Sequence, residues 1–178
     1  MQILYHGQYK QDMIVDILIN YLNVKPGIKT FLDIGANDGI SLSNTYFLEK
    51  HRNWIGICVE PIPSIYSKLV ENRPNSACFN CLVGSESASQ IPFLHIIGEH
   101  EMCSGKLDTY HPKHIQRINS TNSTCNQLNL QQRTLNEIII QSNIGCTHFD
   151  FLSLDTEGSE YDILKSIDFS TYSFGIIL

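Results

Sequence analysis

The chain has 178 residues, 42% of them hydrophobic and 17% charged, with a formal net charge of −6. That length suits one domain with a real core, and that composition excludes a disordered chain. The acidic balance (pI near 5.6) is wrong for a general nucleic-acid binder, which needs clustered Lys and Arg, and no apolar run reaches the ~18–20 residues of a membrane span.

The chain-order reading begins with MQILYHGQYKQD, which lacks the basic-then-apolar pattern of a secretory signal. Met13, Ile14, Ile17, Leu18 and Leu22 recur at helical spacing, with Asp12 as a candidate N-cap and Lys25-Pro26-Gly27 as a stop. Residues 1–26 are therefore expected to form a helical extension and 27–178 the main domain. Thr30–Ile34 is a short apolar run before a glycine turn and predicts a buried strand. A helix is expected over Leu42–His51, a strand over Trp54–Val59, a helix over Ser64–Asn72 and a third strand over Ala77–Val83. Ile91–Ile97 predicts a further strand, with Pro92 at a first or edge position.

Periodicity is lost from Gly98 to Gln132, and the polar run Asn119–Gln132 is expected to be partly disordered. Thr134-x-x-Glu137 is a capping box opening a helix over Leu135–Ser142. A strand over Phe149–Asp155, a helix over Glu160–Ile167 and an apolar strand from Phe174 to Leu178 follow. Strands alternating with helices predict an α/β fold with a mostly parallel sheet.

Six cysteines (Cys58, Cys78, Cys81, Cys103, Cys125 and Cys146) in a chain of this size suggest reduced thiols and a cytoplasmic protein rather than a disulfide scaffold. Cys58, inside an apolar run, is expected to pack as a small hydrophobe. Cys78 and Cys81 have zinc-knuckle spacing, with His111 and His114 as further ligands, but residues three apart on a strand face opposite ways, so paired thiols are the plainer reading. Asn119 and Asn122 match a glycosylation pattern that means little without a secretory route.

Three acidic residues follow predicted strands: Asp33, Glu60 and Asp155. Strand carboxyl ends in an open α/β sheet converge on one crevice, so these side chains are expected to share a pocket. The turn Asp33-Ile-Gly35-Ala-Asn37-Asp38-Gly39 spaces its glycines as G-x-x-x-G. It is neither a dinucleotide fingerprint nor a P-loop. Glycines permit close backbone approach, and Asn37 suits a left-handed turn. Glu60 stands where a carboxylate accepts both ribose hydroxyls of a nucleoside. Carboxylates at the turn repel a pyrophosphate and favour a cationic cofactor, and S-adenosylmethionine carries a sulfonium and an ammonium.

FLDIGANDG (31–39), Val59-Glu60-Pro61 and FDFLSLDTEGSEYDIL (149–164) together resemble the FkbM-type S-adenosylmethionine-dependent methyltransferases. The leader Gly7–Asp12 is similar to one found in part of that family, with Lys10 where glycine is more usual. The resemblance implies a Rossmann-like class I methyltransferase fold and O-methylation of a hydroxyl on a small molecule or glycan. It implies that Asp33, Gly35, Asn37 and Gly39 line the methionine end of the cofactor, that Glu60 holds the ribose, and that Val83 faces the adenine. Asp155 and Glu157 match the acidic signature at the mouth of the site. Asp155 is the candidate base, or a metal ligand, with Glu157 second; helix capping is the alternative for both. Asp155, Glu157 and Glu160 could also offer oxygens to Mg²⁺ or Ca²⁺, although capping suits them better and no metal is assigned.

Acceptor recognition is expected from 98–132, where Tyr110 and Arg117 could hold a sugar-like or acidic group and His95, His100, His111 and His114 cluster. The class I sheet implied by the resemblance has two strands beyond the last one here, so the sheet is expected to lack them and to self-associate through its open edge. Two other functions fit the same pattern. One is a catalytically silent binding module on the same fold, and the other is a dinucleotide enzyme, disfavoured by the missing third glycine.

Overall fold

The computed structural model describes residues 4–21, 27–98, 100–109 and 124–178. Leu22, Lys25, Pro26, Tyr110, His111, His114, Arg117, Asn119 and Asn122 lie outside them. Element order is α1 (Gln11–Tyr21), β1 (Thr30–Ile34), α2 (Tyr46–Arg52), β2 (Ile55–Val59), α3 (Pro63–Asn72), β3 (Ala77–Phe79), β4 (Leu82–Val83), β5 (Ala88–Ile97), a 3-10 turn (Glu101–Cys103) and β6 (Gly105–Lys106). Then come β7 (Thr124–Arg133), α4 (Leu135–Ser142), β8 (His148–Leu154), α5 (Glu160–Ser166) and β9 (Ser173–Ile177).

The central sheet has the order β3-β2-β1-β8-β9, and every neighbouring pair is parallel. β1 is its switch point: the chain leaves it toward β2 and β3 on one side and returns as β8 and β9 on the other. Such a sheet is buried on both faces, which is why Thr30–Ile34 and Phe149–Leu154 read as unbroken buried runs. On one face Leu32, Ile34, Ile57 and Val59 pack with Leu135, Ile138 and Ile139 of α4 and Ile163 of α5. On the other, Phe31, Cys58 and Phe151 pack with Val15, Phe47, Leu48 and Leu69 from α1, α2 and α3. Cys58 is fully buried, as a small hydrophobe would be. Cys78 and Cys81 pack against different clusters. None of the six cysteines is in a disulfide. Among the described residues no helix is long and apolar enough to cross a membrane.

Several expectations need correction. The third strand is two, because the chain breaks between Phe79 and Leu82: β3 joins the central sheet and β4 a second one. That second sheet, β4-β7-β5-β6, interrupts the strand–helix alternation: all four of its strands lie between α3 and α4. Pro92 is neither first nor on an edge strand; it is the fifth residue of β5, which pairs with both β7 and β6. The run expected to be disordered holds β7 from Thr124 to Arg133. Leu128 and Leu130 alternate on one side of it and pack on Ile62, Leu82 and Phe93, while its Asn and Gln side chains mask the period. Helix α2 starts at Tyr46, since Leu42 is left-handed (φ 55°) and starts an irregular link. Asp12 lies inside the first turn of α1, where it accepts from the His6 and Met13 amides. Lys10 is also left-handed (φ 63°), the physical reason glycine suits that position.

The capping box forms as expected: the Thr134 hydroxyl accepts from the Glu137 amide and Glu137 from the Thr134 amide. Thr134→Ala is expected to lower stability by about 1 kcal/mol, read by urea denaturation, while Thr134→Ser stays near wild type.

Candidate active site

The loops after β1, β2 and β8 continue the sheet's pairing for one residue beyond the strands. The Gly35 and Ala36 amides both donate to Val59 O (3.0 Å each), the Glu60 amide to Phe79 O (3.0 Å) and the Asp155 amide to Ile34 O (2.9 Å). The three loops are thereby locked side by side around a cavity of about 260 Å³. Asp33, Gly35, Asn37, Glu60, Val83, Asp155 and Glu157 all line it. Gly39 does not: its carbonyl accepts from Arg73 (3.2 Å) on the far side of the loop.

Gly35 is the crossing point. Its φ is 89°, and a Cβ there would lie 1.9 Å from the Asp155 carbonyl oxygen. Asn37 turns left-handed (φ 50°) and its amide donates to Glu60 Oε2 (3.1 Å). The Ile62 amide donates to Glu60 Oε1 (2.8 Å). Two of the roughly four acceptor positions on this carboxylate are therefore filled by backbone, and two remain for a ligand. Burial raises the Glu60 pKa to about 7, against the opposing pull of those two amides.

Asp33 is buried beneath the turn. Burial pushes its pKa up, while the Arg73 charge and hydrogen bonds from Thr45 and Ser153 pull it down. The Thr45 hydroxyl donates to Asp33 Oδ2 at 2.5 Å. Asp155 stands at the mouth, its side chain open to the cavity; partial enclosure and the neighbouring Glu160 raise its pKa. Glu157 is left-handed (φ 56°) beside it. The capping role falls to Glu160 instead. Its carboxylate reaches back to the Thr156 amide (2.8 Å), the Thr156 hydroxyl (2.9 Å) and the Gly158 amide (3.0 Å). These bonds hold its pKa down although burial pushes it up.

Three parts of the lining lie outside the candidate site residues. Gln8 and Gln11 come from the N-terminal segment, and Ser43 and Asn44 from the link read as helix. Glu101, Met102 and Lys106 form a wall supplied by the second sheet. Of the four histidines in or beside the irregular segment, any one of which could orient a substrate, His95 pairs with Glu101 (3.1 Å) and does not line the cavity.

The profile of the methyltransferase FkbM domain matches residues 33–178, most of the chain. The chain belongs to this methyltransferase family. No curated protein and no solved structure matches it. The match begins at Asp33, the first acidic residue of the cavity, and includes every lining residue except Gln8 and Gln11.

Gly35→Ala is expected to cost at least ~2 kcal/mol, since a Cβ must displace the Asp155 backbone and adopt a left-handed φ. Thermal melting should show the drop, and ligand binding should be lost even where the fold survives.

Proposed function

We propose that this chain is an S-adenosylmethionine-dependent O-methyltransferase of the Rossmann-like class I fold, acting on a hydroxyl of a small molecule or glycan. The observation that carries the reading is the convergence of Gly35, Glu60 and Asp155 on one cavity at the switch point of a parallel sheet. The chemistry of the lining agrees with a cationic nucleoside. Among the described residues its charged lining is the carboxylates Asp33, Glu60, Glu101, Asp155 and Glu157 against the single cation Lys106. Glu60 has acceptor positions for two ribose hydroxyls, Val83 and Leu82 offer an apolar wall for the adenine, and the Gly35 turn admits close approach of the methionine end. Six cysteines without a disulfide among them support a reducing, cytoplasmic setting. Self-association through the free side of β9, an edge strand of the central sheet, belongs to the same proposal.

Bound there, S-adenosylmethionine would supply an electrophilic methyl group on a sulfonium. The residues of this chain then have two tasks. The first is to align the acceptor oxygen with that methyl, and positioning of this kind is worth roughly 7–11 kcal/mol of barrier. The second is to take the hydroxyl proton. Asp155 does so at a carboxylate oxygen that meets no donor among the described residues, and its raised pKa makes it a better base than an exposed aspartate. Glu157 flanks the same mouth. Asp155→Asn is expected to abolish transfer of a labelled methyl group to a panel of sugars and small alcohols. S-adenosylhomocysteine affinity should stay within a few fold; complete loss would place Asp155 in the cofactor site instead.

Glu60 gives the reading a pH signature. Ribose hydroxyls donate to the charged form, so binding stabilises that form and lowers the pKa from its free value of about 7. Above pH 7 the site is already ionised and affinity is level. Below pH 7 binding must first expel a proton, and affinity falls by up to about tenfold per pH unit. Calorimetry with S-adenosylhomocysteine at pH 8 and pH 6 checks this, with NAD as the control that should not bind. A flat profile across that range removes Glu60 from the ribose.

A further inference from the structure

Arg73 is fully buried, yet it does not touch the cavity. It closes α3, and its side chain spreads over the back of the glycine turn. Nε donates to Glu49 Oε2 (2.5 Å), Nη1 to the Gly39 carbonyl (3.2 Å) and Nη2 to the Thr45 hydroxyl (3.0 Å). The Thr45 hydroxyl, its lone pair engaged by Arg73, must point its proton at Asp33. The neighbouring residue Asn72 donates to the Asp38 carbonyl (2.8 Å). The end of α3 therefore grips two successive carbonyls of the turn. Gly39 is shaped to this grip, since a Cβ there would lie 2.6 Å from Arg73 Cγ and 2.8 Å from Leu69 Cδ1.

We propose that Arg73 is a positioning residue for the cofactor: through Thr45 and the Gly39 carbonyl it fixes the Gly35–Gly39 turn and presents Asp33 as an anion to the cofactor's ammonium end. The inference rests on the methyltransferase reading above and adds to it a residue outside the pocket. Asp33 is faced by Cys58 on β2, by Glu60 and Asp155 at the ends of β2 and β8, and by the Arg73–Glu49 pair from α3 and α2. Of these only Arg73 is cationic. Remove it and a buried carboxyl surrounded by acids holds its proton to higher pH.

Two variants separate the grip from the charge. Arg73→Lys keeps a cation behind Asp33 but cannot reach three acceptors at fixed angles. It is expected to fold and to bind S-adenosylhomocysteine at least about tenfold more weakly at every pH, with the wild-type pH profile. Arg73→Met with Glu49→Met removes the buried pair together, which avoids leaving Glu49 uncompensated. In that protein the Asp33 carboxyl, followed by its ¹³C shift without cofactor, should titrate at higher pH than in wild type. Binding should then fall more steeply than in wild type below pH 7. Wild-type affinity in the lysine variant overturns the grip, and an unmoved Asp33 titration overturns the charge. A double variant that fails to fold leaves the decision to Arg73→Lys. A wild-type protein that binds no S-adenosylhomocysteine overturns the cofactor reading, and the role proposed for Arg73 with it; the carboxyl titration then shows whether Arg73 sets the charge of Asp33.

Discussion

The loops leaving β1 and β8 cross so closely that only a residue without a side chain can stand between them. That contact, Gly35 against the Asp155 carbonyl, follows from the parallel pairing of Phe31–Ile34 with Phe151–Leu154 carried one residue too far for a Cβ. It places the end of β8, with Asp155, over the end of β1. The amides of Gly35 and Ala36 tie the same turn to β2, and so to Glu60. Three carboxylates far apart in sequence are then walls of one cavity because the backbone ladder, rather than any side chain, sets their spacing.

Beneath that ladder lies a polar core. The register row Cys58–Asp33–Ser153 points one carboxylate into the face covered by α2 and α3. Burying Asp33 and Glu49 would be costly without Arg73, and a buried pair of this kind is seldom a net source of stability against apolar replacements. What the arrangement supplies is direction. Asn44 donates to Ser153 (3.1 Å), Ser153 to Asp33, Arg73 to Thr45 and Thr45 to Asp33, so both hydroxyl protons of these two chains point to one carboxylate. A network with one consistent set of donors has one arrangement, and a turn that must fit a ligand needs that singularity more than it needs strength.

Much of this was legible in the sequence, for reasons that also explain what was not. β1, β2 and β8 are short apolar runs ended by glycine or an acid, and parallel burial leaves no other reading of such runs. The helix after Thr134 carries its own start signal. The cofactor-side carboxylates followed from a general rule about strand ends. Non-local pairing was invisible: β7 is written in Asn and Gln, and only Leu128 and Leu130, meeting Ile62 and Phe93 from elsewhere in the chain, make it a strand. Ala77–Val83 reads as one run because two sheets share it, and a break in partners leaves no mark in composition. Arg73 carries no signal of its own in the sequence; its contacts exist only once Gly39, Thr45 and Glu49 surround it. The same holds for Gly39, which the motif places at the cofactor and the structure places under Arg73.

The acids of the site show how environment divides one chemistry into several. Glu60 and Glu160 are the same residue type in different places: Glu60 follows β2 directly, and Glu160 opens α5 after the loop that leaves β8. Glu60 lies in the apolar cleft between Val59 and Ile62 with two amide partners, and burial dominates, so it stands near neutrality's midpoint at pH 7. Glu160 collects three donors from its own loop, and they dominate, so it stays charged and structural. Asp155, at the mouth, is only partly enclosed and has the donors of neither, and Glu160 repels its ionisation. A base needs an unoccupied acceptor and a proton affinity above that of a solvated carboxylate, and a ribose ligand needs partial but not full satisfaction by the protein. Glu160 can serve neither purpose because it has spent its acceptors on the loop. Asp155 has made no such commitment: among the described residues no donor meets its carboxylate, and it lines the cavity.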